Sequence, residues 1–345
     1  MKKILIYIVT LFCIVFIIPS ICTKKKKVQD PRTKNTDNQE AEAEAQAQAQ
    51  AQDYKQYDYK KFSNIKLYHS KTGVVEELPI DEYLYGVVSS EIPASYNLEA
   101  LKAQAVASRT YTIYQIANSK EKHTGADICD DSSCCQAWIS KEERLTRWDE
   151  GKATSNWDKI TTAVNSTQGQ IITYKREPID AFFHSNSGGV TETASNVWGG
   201  TNLPYLQSVE TAGEEGYSQY LSEVELTKEE LIEKLKVKYK DIKINFDEEN
   251  NIQITEYTES GRVRTVKFGN VEVSGTEART IFGLKSTNFQ IEITENTLKF
   301  TVTGYGHGVG MSQTGADSLA NQGYNYEQIL KHFYTDVEIT YINEL

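Results

Sequence analysis

The first pattern along the chain is a long apolar run without a charge. Residues 4–22, ILIYIVTLFCIVFIIPSIC, lie between Lys2-Lys3 and the four lysines at 24–27. At about 1.5 Å rise per residue, a helix of this length just spans the roughly 30 Å hydrocarbon core of a bilayer. The run therefore predicts a single N-terminal transmembrane helix as a membrane anchor. A cleaved secretory signal is the alternative, although the run is long for one and no A-x-A-like site follows it.

The next segment predicts a spacer. It begins with charged residues and continues into AEAEAQAQAQAQ, which offers almost nothing to bury in a core. The lysine count on the two sides of the apolar run would place the body in the cytoplasm. So short an N-terminal tail is a weak determinant, and the motifs described below favour an extracytoplasmic body. We therefore divide the chain into an anchor (1–23), a spacer (24–60) and an extracytoplasmic domain (61–345).

Beyond the spacer, the pattern predicts discrete helices and strands. NIKLYH and GVVEELP around SKTG predict a β-hairpin, and DEYLYGVVSSE predicts a short helix capped by Asp81 that ends at Glu91. Pro93 stops this helix, and Asn97 with Glu99 predicts the cap of the next one.

That next helix, residues 98–118, is rich in alanine. Its small-residue face allows neighbouring backbones to approach closely, so we expect a central helix that carries the cleft. Lys102 and Arg109 are two turns apart and are predicted to project from nearly the same side. A solvent-exposed cationic stripe is the ordinary interpretation of such a pair.

The rest of the chain alternates strands and helices. Two strands are predicted around KREP, Thr227 with Glu230 predicts a capping box, and RVRTVKF, FQIEIT and LKFTVTG predict strands. Two helical stretches broken at Gly323 end the chain. Segregated helices and mostly antiparallel strands predict an α+β fold.

Composition narrows the class of function. The 345 residues are 39% hydrophobic, which is enough for a large folded domain. The net charge of −11, with Lys24 to Lys27 as its one dense basic run, argues against binding to nucleic acid, because phosphate neutralisation needs clustered Lys and Arg.

Three motifs carry the candidate chemistry. They are GVVSSEIPASYNLEALKAQAVASRTY (86–111), FFHSNSGGVTETASNVWGG (182–200) and GYGHGVGMSQTGA (304–316). None is a phosphate-binding loop, because no Gly-Lys-Ser/Thr follows. In this order they resemble the stage II sporulation protein D (SpoIID) family, from about residue 65 to the C-terminus, with the weakest match between 221 and 298.

The resemblance implies a membrane-anchored peptidoglycan lytic transglycosylase of the mother-cell engulfing membrane. Members of the family cleave the MurNAc–GlcNAc β-1,4 bond during forespore engulfment. The substrate implied is a denuded glycan strand, whose stem peptides the amidase SpoIIP removes, and the membrane protein SpoIIM is the other implied partner. By motif, Glu91 matches the catalytic acid and Arg109 the accompanying basic residue.

The chemistry fits these residues independently of the resemblance. A lone Glu among apolar and small neighbours can stay protonated near neutral pH and donate its proton to the leaving oxygen. A C6 hydroxyl that closes on the anomeric carbon makes a second carboxylate optional. Arg109 is suited to the lactyl carboxylate of muramic acid. The predicted substrate-binding residues are Arg109, Lys102, His184, Ser185, Ser187, Gly188, His307 and Gln313.

A cysteine and histidine cluster lies in HTGADICDDSSCCQAW. One interpretation is a structural zinc ion held by His123, Cys129 and Cys135, with water or Cys134 in the fourth position. A disulfide from Cys129 to Cys134 or Cys135, or inert thiols, are the alternatives. The resemblance favours zinc, because some clostridial members look as if they carry it at a matching His and Cys pair.

Two other functions compete with the transglycosylase. Related domains resemble amidase enhancers, so the protein can instead be a glycan-binding activator that does not cut. A zinc hydrolase that uses His123 and the cysteines is disfavoured, because two thiolates make the metal a poorer Lewis acid.

Overall fold

The computed structural model describes residues 57–118, 122–248 and 250–345. The helices are α1 (Ile80–Glu91), α2 (Leu98–Asn118), α3 (Lys141–Arg147), α4 (Glu150–Asn165), α5 (Ala194–Trp198), α6 (Lys228–Lys236), α7 (Gly275–Phe282), α8 (Gln313–Asn321) and α9 (Tyr326–Phe333). The strands are β1 (Asn64–Tyr68), β2 (Val75–Pro79), β3 (Ile128–Cys129), β4 (Gln170–Tyr174), β5 (Glu177–Pro178), β6 (Phe183–His184), β7 (Leu221–Thr227), β8 (Ile252–Tyr257), β9 (Val263–Phe268), β10 (Val271–Ser274), β11 (Phe289–Ile293), β12 (Thr297–Thr303), β13 (Met311–Ser312) and β14 (Glu338–Tyr341).

The predicted anchor and nearly all of the predicted spacer lie outside the described residues. Within those residues, the structure has no helix with the length and apolarity needed to cross a membrane.

The α+β prediction is confirmed. The strands form small sheets in the orders β2-β1-β3, β14-β4-β5, β13-β6, β10-β9-β8 and β11-β12-β7. Most neighbouring strands are antiparallel, and the pairs β1–β3 and β13–β6 are parallel. The predicted hairpin is present at β1–β2, and the strands predicted around KREP and in FQIEIT and LKFTVTG pair as β4–β5 and β11–β12.

The main core is built around α2. This helix is buried over most of its length and contacts α1, α4, α8, α9 and β4, because its alanines let those neighbours approach closely. Its predicted cap is confirmed, since Asn97 Oδ1 accepts the backbone N–H of Glu99 at 3.0 Å.

The prediction that Asp81 caps α1 is wrong. Helix α1 begins at Ile80 after Pro79, so Asp81 lies inside its first turn. Its carboxylate accepts hydrogen bonds from Tyr59 Oη at 2.7 Å and Gln168 Nε2 at 2.8 Å. Asp81 therefore ties the start of α1 to distant segments instead of to its own helix.

Residues 221–303 form an insert with a core of its own. Two three-stranded antiparallel sheets, β11-β12-β7 and β10-β9-β8, pack with α6 and α7 around a second hydrophobic cluster. The two ends of the insert meet, because Gly304 N donates to the carbonyl oxygen of Tyr220 at 2.7 Å. The main core continues directly after this point into β13 and α8.

Arg262 joins the insert to the main core. Its side chain is 1% exposed and donates from Nη2 to the carbonyl oxygens of Ser187 at 2.6 Å and Val190 at 3.3 Å. Gly308 has a φ of +86°, and a Cβ at this position would lie 2.6 Å from the guanidinium. The two glycine-rich motifs therefore form a cradle for an arginine of the insert.

Candidate active site

Two cavities meet at Glu91 and form one continuous cleft. The smaller has a volume of about 380 Å³ and the larger about 950 Å³. Glu91, Ser185 and Gln313 line both cavities, so these three residues mark the junction. Glu91 is thus a carboxyl group that lines both cavities, one on either side of the junction.

Glu91 owes its position to the end of α1. The helix stops there because Ile92 is extended and Pro93 follows, which leaves the Glu91 side chain at the last turn, facing the cleft. Burial raises the pKa of Glu91 to about 7, and the hydrogen bond that its Oε1 accepts from the backbone N–H of Ala137 at 2.5 Å lowers that pKa only in part. Oε2 has no hydrogen-bond partner among the described residues. Glu91 is thus a carboxylic acid that can carry a proton at neutral pH and present it to the cleft.

The smaller cavity is lined by polar groups and by the aromatic side chains of Tyr96 and Trp148. Arg144 and Trp148 come from α3 and the residue just after it, and the Arg144 guanidinium carbon lies 4.5 Å from the Trp148 ring centroid. Asn156 on α4 and Gln219 add amide groups to the wall. Aromatic faces beside hydroxyl and amide partners suit a sugar ring.

The larger cavity combines aromatic rings with neutral histidines. Trp198 is 51% exposed and its ring lies 5.1 Å from that of His307. Burial, with the nearby Arg262 charge, lowers the pKa of His184 to about 3, and burial also holds the pKa of His307 well below its usual value. His184 Nδ1 is 3.1 Å from the carbonyl oxygen of Val309, so it carries the proton and leaves Nε2 as an acceptor without a partner among the described residues.

Asp180 is a second carboxyl group on the wall of the larger cavity. Burial raises its pKa to about 7, although a hydrogen bond from Gln115 and the charge of Lys122 oppose that rise. Arg279, from α7 of the insert, lines the same cavity, as does Tyr305. The insert therefore contributes directly to the cleft.

The prediction that Arg109 contacts the substrate is wrong. Its side chain is fully buried, and Nη1 donates to the carbonyl oxygen of Thr167 at 2.8 Å while Nη2 donates to that of Val164 at 3.3 Å. Val164 is in the last turn of α4 and Thr167 follows the helix, so Arg109 caps a helix C-terminus. It also lies 3.7 Å from the carboxylate of Asp81. A ligand in the cleft has no access to this guanidinium.

Lys102 also lies outside the cleft. Its ammonium pairs with Glu99 at 2.7 Å and lies 5.9 Å from the Tyr326 ring. Lys102 lines neither of the two cavities that meet at Glu91. Its role as a substrate-binding residue is corrected to that of a partly buried ion pair on the surface of α2.

Ser187 and Gly188 are structural as well. Ser187 is fully buried, and its hydroxyl donates to the carboxylate of Glu214 at 2.5 Å. Gly188 has a φ of +73°, and its N–H donates to Asn186 Oδ1 at 2.9 Å. Neither residue lines the two cavities, so of the second motif His184 and Ser185 reach the cleft, together with Phe182, Phe183 and Trp198.

The cysteine and histidine cluster borders the larger cavity. The ligand atoms of His123, Cys129, Cys134 and Cys135 all lie within 4.8 Å of one another. Cys135 Sγ is 3.3 Å and Cys134 Sγ 3.7 Å from His123 Nε2, and the two sulfurs are 4.0 Å apart. Zinc bonds of about 2.0–2.3 Å in a tetrahedron separate the ligand atoms by about 3.5 to 3.8 Å. The cluster therefore fits a four-ligand zinc site, and its three cysteines are free thiols.

Sequence reasoning missed Arg144, Trp148, Arg279 and Asp180 as parts of the cleft. Arg144 and Trp148 lie in KEERLTRW, which reads as an ordinary charged helix, and Arg279 lies in the stretch with the weakest family match. Trp198 lies within the second motif, but the 51% exposure that marks it as a binding residue is visible only in the structure.

Comparisons with known proteins agree with the motifs. A family model described as "Stage II sporulation protein" matches residues 68–174, and one described as "Domain of unknown function (DUF8618)" matches residues 210–310. Stage II sporulation protein D of Bacillus amyloliquefaciens is 36% identical over 278 residues, which is 80% of this chain and 78% of the relative. The protein of the same name from Bacillus subtilis is 36% identical over 279 residues, 80% of this chain and 79% of the relative. The amidase enhancer of Bacillus subtilis is 28% identical over 308 residues, which cover 74% of this chain and 40% of the relative.

Proposed function

The chain belongs to the stage II sporulation protein D family, and from this premise we propose that it is a lytic transglycosylase of peptidoglycan. Its substrate is the MurNAc–GlcNAc β-1,4 bond of glycan strands that have lost their stem peptides. The observation that carries the proposal is Glu91, a carboxyl group with a pKa of about 7 where the two arms of the cleft meet.

The reaction needs one carboxyl group in two successive roles. Protonated Glu91 donates its proton to the glycosidic oxygen, and the bond between that oxygen and C1 of the muramic acid breaks. The C6 hydroxyl of the same muramic acid then attacks C1 and gives its proton to the Glu91 carboxylate. The product is a 1,6-anhydro end, no water is consumed, and Glu91 is protonated again.

The surrounding residues support this cycle. The N–H of Ala137 fixes one oxygen of Glu91, so the other oxygen exchanges the proton. Gln313 and Ser185 offer an amide and a hydroxyl beside the acid, and Gln313 is oriented by Gln104, whose Oε1 accepts from Gln313 Nε2 at 3.3 Å. The exposed ring of Trp198 offers a stacking face in the larger cavity, and Trp148 adds an aromatic wall to the smaller one.

The deciding experiment is the mass of the products from purified denuded strands. Wild-type protein is expected to give anhydro ends, and Glu91→Gln is expected to lose cleavage by at least about a hundredfold while it still binds strands. Glu82→Gln, an exposed position on the same helix, is the matched control. Asp180→Asn tests the second carboxyl group and is expected to retain most activity. Products that have gained water, or normal cleavage by Glu91→Gln, contradict the proposal.

A second function is favoured by the relative named amidase enhancer. In that case the cleft binds glycan and stimulates a partner amidase without cutting. The same digestion separates the two, because a pure activator leaves denuded strands at their original mass while it raises the rate of a purified amidase.

We propose further that the protein is anchored by residues 4–22, with its body outside the cytoplasm on the mother-cell engulfing membrane. The partners proposed are the amidase SpoIIP, which supplies denuded strands, and the membrane protein SpoIIM. The support for the anchor is the length and apolarity of the segment. Alkaline phosphatase fused to the C-terminus, which is active only outside the cytoplasm, is expected to be active, and an inactive fusion contradicts this orientation.

We also propose a structural zinc ion at His123, Cys129, Cys134 and Cys135. The support is a donor set of one imidazole and three thiols within 4.8 Å of one another. Bound zinc would stabilise the loop, and the acid-base steps use Glu91 alone.

A further inference from the structure

The two arms of the cleft each contain one arginine without a carboxylate partner. Arg144 lines the smaller cavity and Arg279 the larger one. Among the described residues, no carboxylate oxygen lies within ion-pair distance of either guanidinium. We infer that Arg144 and Arg279 are two anion-binding subsites for the lactyl carboxylates of muramic acid residues on opposite sides of the scissile bond. This inference rests on the proposed function.

Arg144 is held in place by packing and not by an ion pair. Its guanidinium lies 4.5 Å from the Trp148 ring centroid, and its Nε is buried without a hydrogen-bond partner among the described residues. The nearby carboxylate of Glu143 forms an ion pair with Arg147 and not with Arg144. The stacked guanidinium is therefore preorganised, with its terminal nitrogens available to a planar anion.

Arg279 is held in a similar way from the insert. Its Nε donates to the carbonyl oxygen of Leu284 at 3.3 Å, which fixes the side chain and leaves both terminal nitrogens for a ligand. Burial lowers the pKa of this guanidinium, and no carboxylate among the described residues opposes that effect. A half-buried cation of this kind gains most from an anion that enters the cavity.

The other cations near the cleft differ from these two in shape or in access. Lys122 lines the larger cavity and donates to the carbonyl oxygen of Cys134 at 2.6 Å, but it is exposed and lacks the planar fork of a guanidinium. Arg109 and Arg262 are fully buried on backbone carbonyls. This leaves Arg144 and Arg279 as the free guanidinium groups on the described walls of the cleft.

The chemistry of the strand fits one arginine in each arm of the cleft. Muramic acid alternates with N-acetylglucosamine, so a strand across both arms places a muramic acid on each side of Glu91. Removal of the stem peptide turns a neutral amide into a carboxylate, which a guanidinium binds through two parallel hydrogen bonds. Burial raises the pKa of Glu91 by more than the Ala137 N–H lowers it. The two subsites therefore select denuded strands at an acid that can hold its proton near neutral pH.

The test compares denuded strands with the same strands after their lactyl carboxylates are converted to neutral N-methylamides. We expect wild-type protein to cleave the carboxylate form about tenfold to a hundredfold faster, the usual effect of a charge-assisted hydrogen bond. Arg144→Gln and Arg279→Gln should each reduce this preference, and the double variant should abolish it, so that the ratio of the rates on carboxylate and amidated strands approaches one. Arg279→Lys, which keeps the charge and loses the planar fork, should retain part of the preference.

Arg147→Gln and Lys299→Gln are the matched controls, because each removes a charge that is paired outside the cavities. Melting temperatures identify any variant that fails to fold. Equal wild-type rates on both forms, or a full preference in the double variant, would overturn the inference while cleavage itself upholds the proposed function. If wild-type protein cleaves neither form, the proposed function fails. The inference is then tested by the affinities of wild type and the arginine variants for the carboxylate and the amidated strands.

Discussion

At the scale of single residues, Glu91 makes the activity depend on pH in a defined direction. Its pKa is about 7 because of burial, against a usual value of 4.5, and the protonated form is the donor. We expect the rate on denuded strands to fall above pH 7, by up to about tenfold per pH unit, as the acid ionises. Initial rates between pH 5 and pH 9 measure this. A limb centred near pH 4.5 would mean that the cleft does not desolvate Glu91.

The stability of the protein gives an independent check on the same group. A raised folded-state pKa means that the folded protein binds more protons than the unfolded chain between about pH 4.5 and pH 7, so this group favours folding at low pH and disfavours it as pH rises through 7. Glu91→Gln removes that effect. Its melting temperature relative to wild type should therefore be higher at pH 8 than at pH 5.

Arg109 has a structural role, and its substitution should show that. Arg109→Met removes hydrogen bonds to the carbonyl oxygens of Val164 and Thr167 and leaves buried polar groups unpaired. We expect a loss of about 3 to 5 kcal/mol in the free energy of unfolding and an unchanged preference for carboxylate over amidated strands. Urea titrations and paired rate measurements test the two parts. Lys102→Met, the control on the same helix, should cost less than about 1 kcal/mol. A selective loss of the carboxylate preference with normal stability would restore Arg109 to the substrate site.

At the scale of elements, the loop that follows β3 should depend on a bound zinc ion. We expect about one zinc per chain by elemental analysis, with loss of the metal and a lower melting temperature in Cys129→Ser and Cys135→Ser. Activity should fall only secondarily, because the loop also carries the Ala137 N–H that fixes Glu91. Cys134→Ser tests the fourth ligand. The absence of zinc from protein made under reducing conditions would contradict the zinc site. A mass two daltons below that of the fully reduced chain, which indicates a disulfide, would also contradict it.

The elements that could be predicted from sequence are those whose signals are local. Asn97 and Thr227 cap helices through bonds to residues two or three positions away, and the turn at Lys175-Arg176 joins adjacent strands, so short patterns contain the needed information. Asp81 failed as a cap because Tyr59 and Gln168, distant in sequence, compete for its carboxylate. Arg109 failed as a ligand for the same reason, since the end of α4 that it caps arrives only in the folded protein. The second and third motifs each contain residues that line the cleft and residues that connect the insert to the main core.

At the scale of the whole molecule, the cleft depends on how the insert is joined to the main core. Arg262 enters the cradle between Gly308 and Ser187, and Glu192 of the main core accepts hydrogen bonds from Thr258 at 2.7 Å and Ser260 at 2.5 Å of the insert. These contacts are polar and buried, so they are specific in geometry. Because Arg279 lies on the same insert, the joint sets the position of one wall of the larger cavity.

Removing the Arg262 contacts should uncouple the unfolding of the insert from that of the main core. Arg262→Leu removes the donor to the Ser187 and Val190 carbonyls and leaves both carbonyls without that partner. We expect a cost of about 1 to 3 kcal/mol for each buried acceptor left unpaired, and separate unfolding transitions for the insert and the main core where wild type shows one. Scanning calorimetry, with hydrogen exchange of residues 221–303, measures this. Lys240→Leu, an exposed position on the insert, is the control.

The same variant should affect substrate preference more than cleavage. If Glu91 stays in position in the main core while the insert shifts, Arg262→Leu should still cleave strands but lose much of its preference for carboxylates. A single unchanged unfolding transition, together with an unchanged preference for carboxylate strands, would show that Arg262 does not fix the insert to the main core.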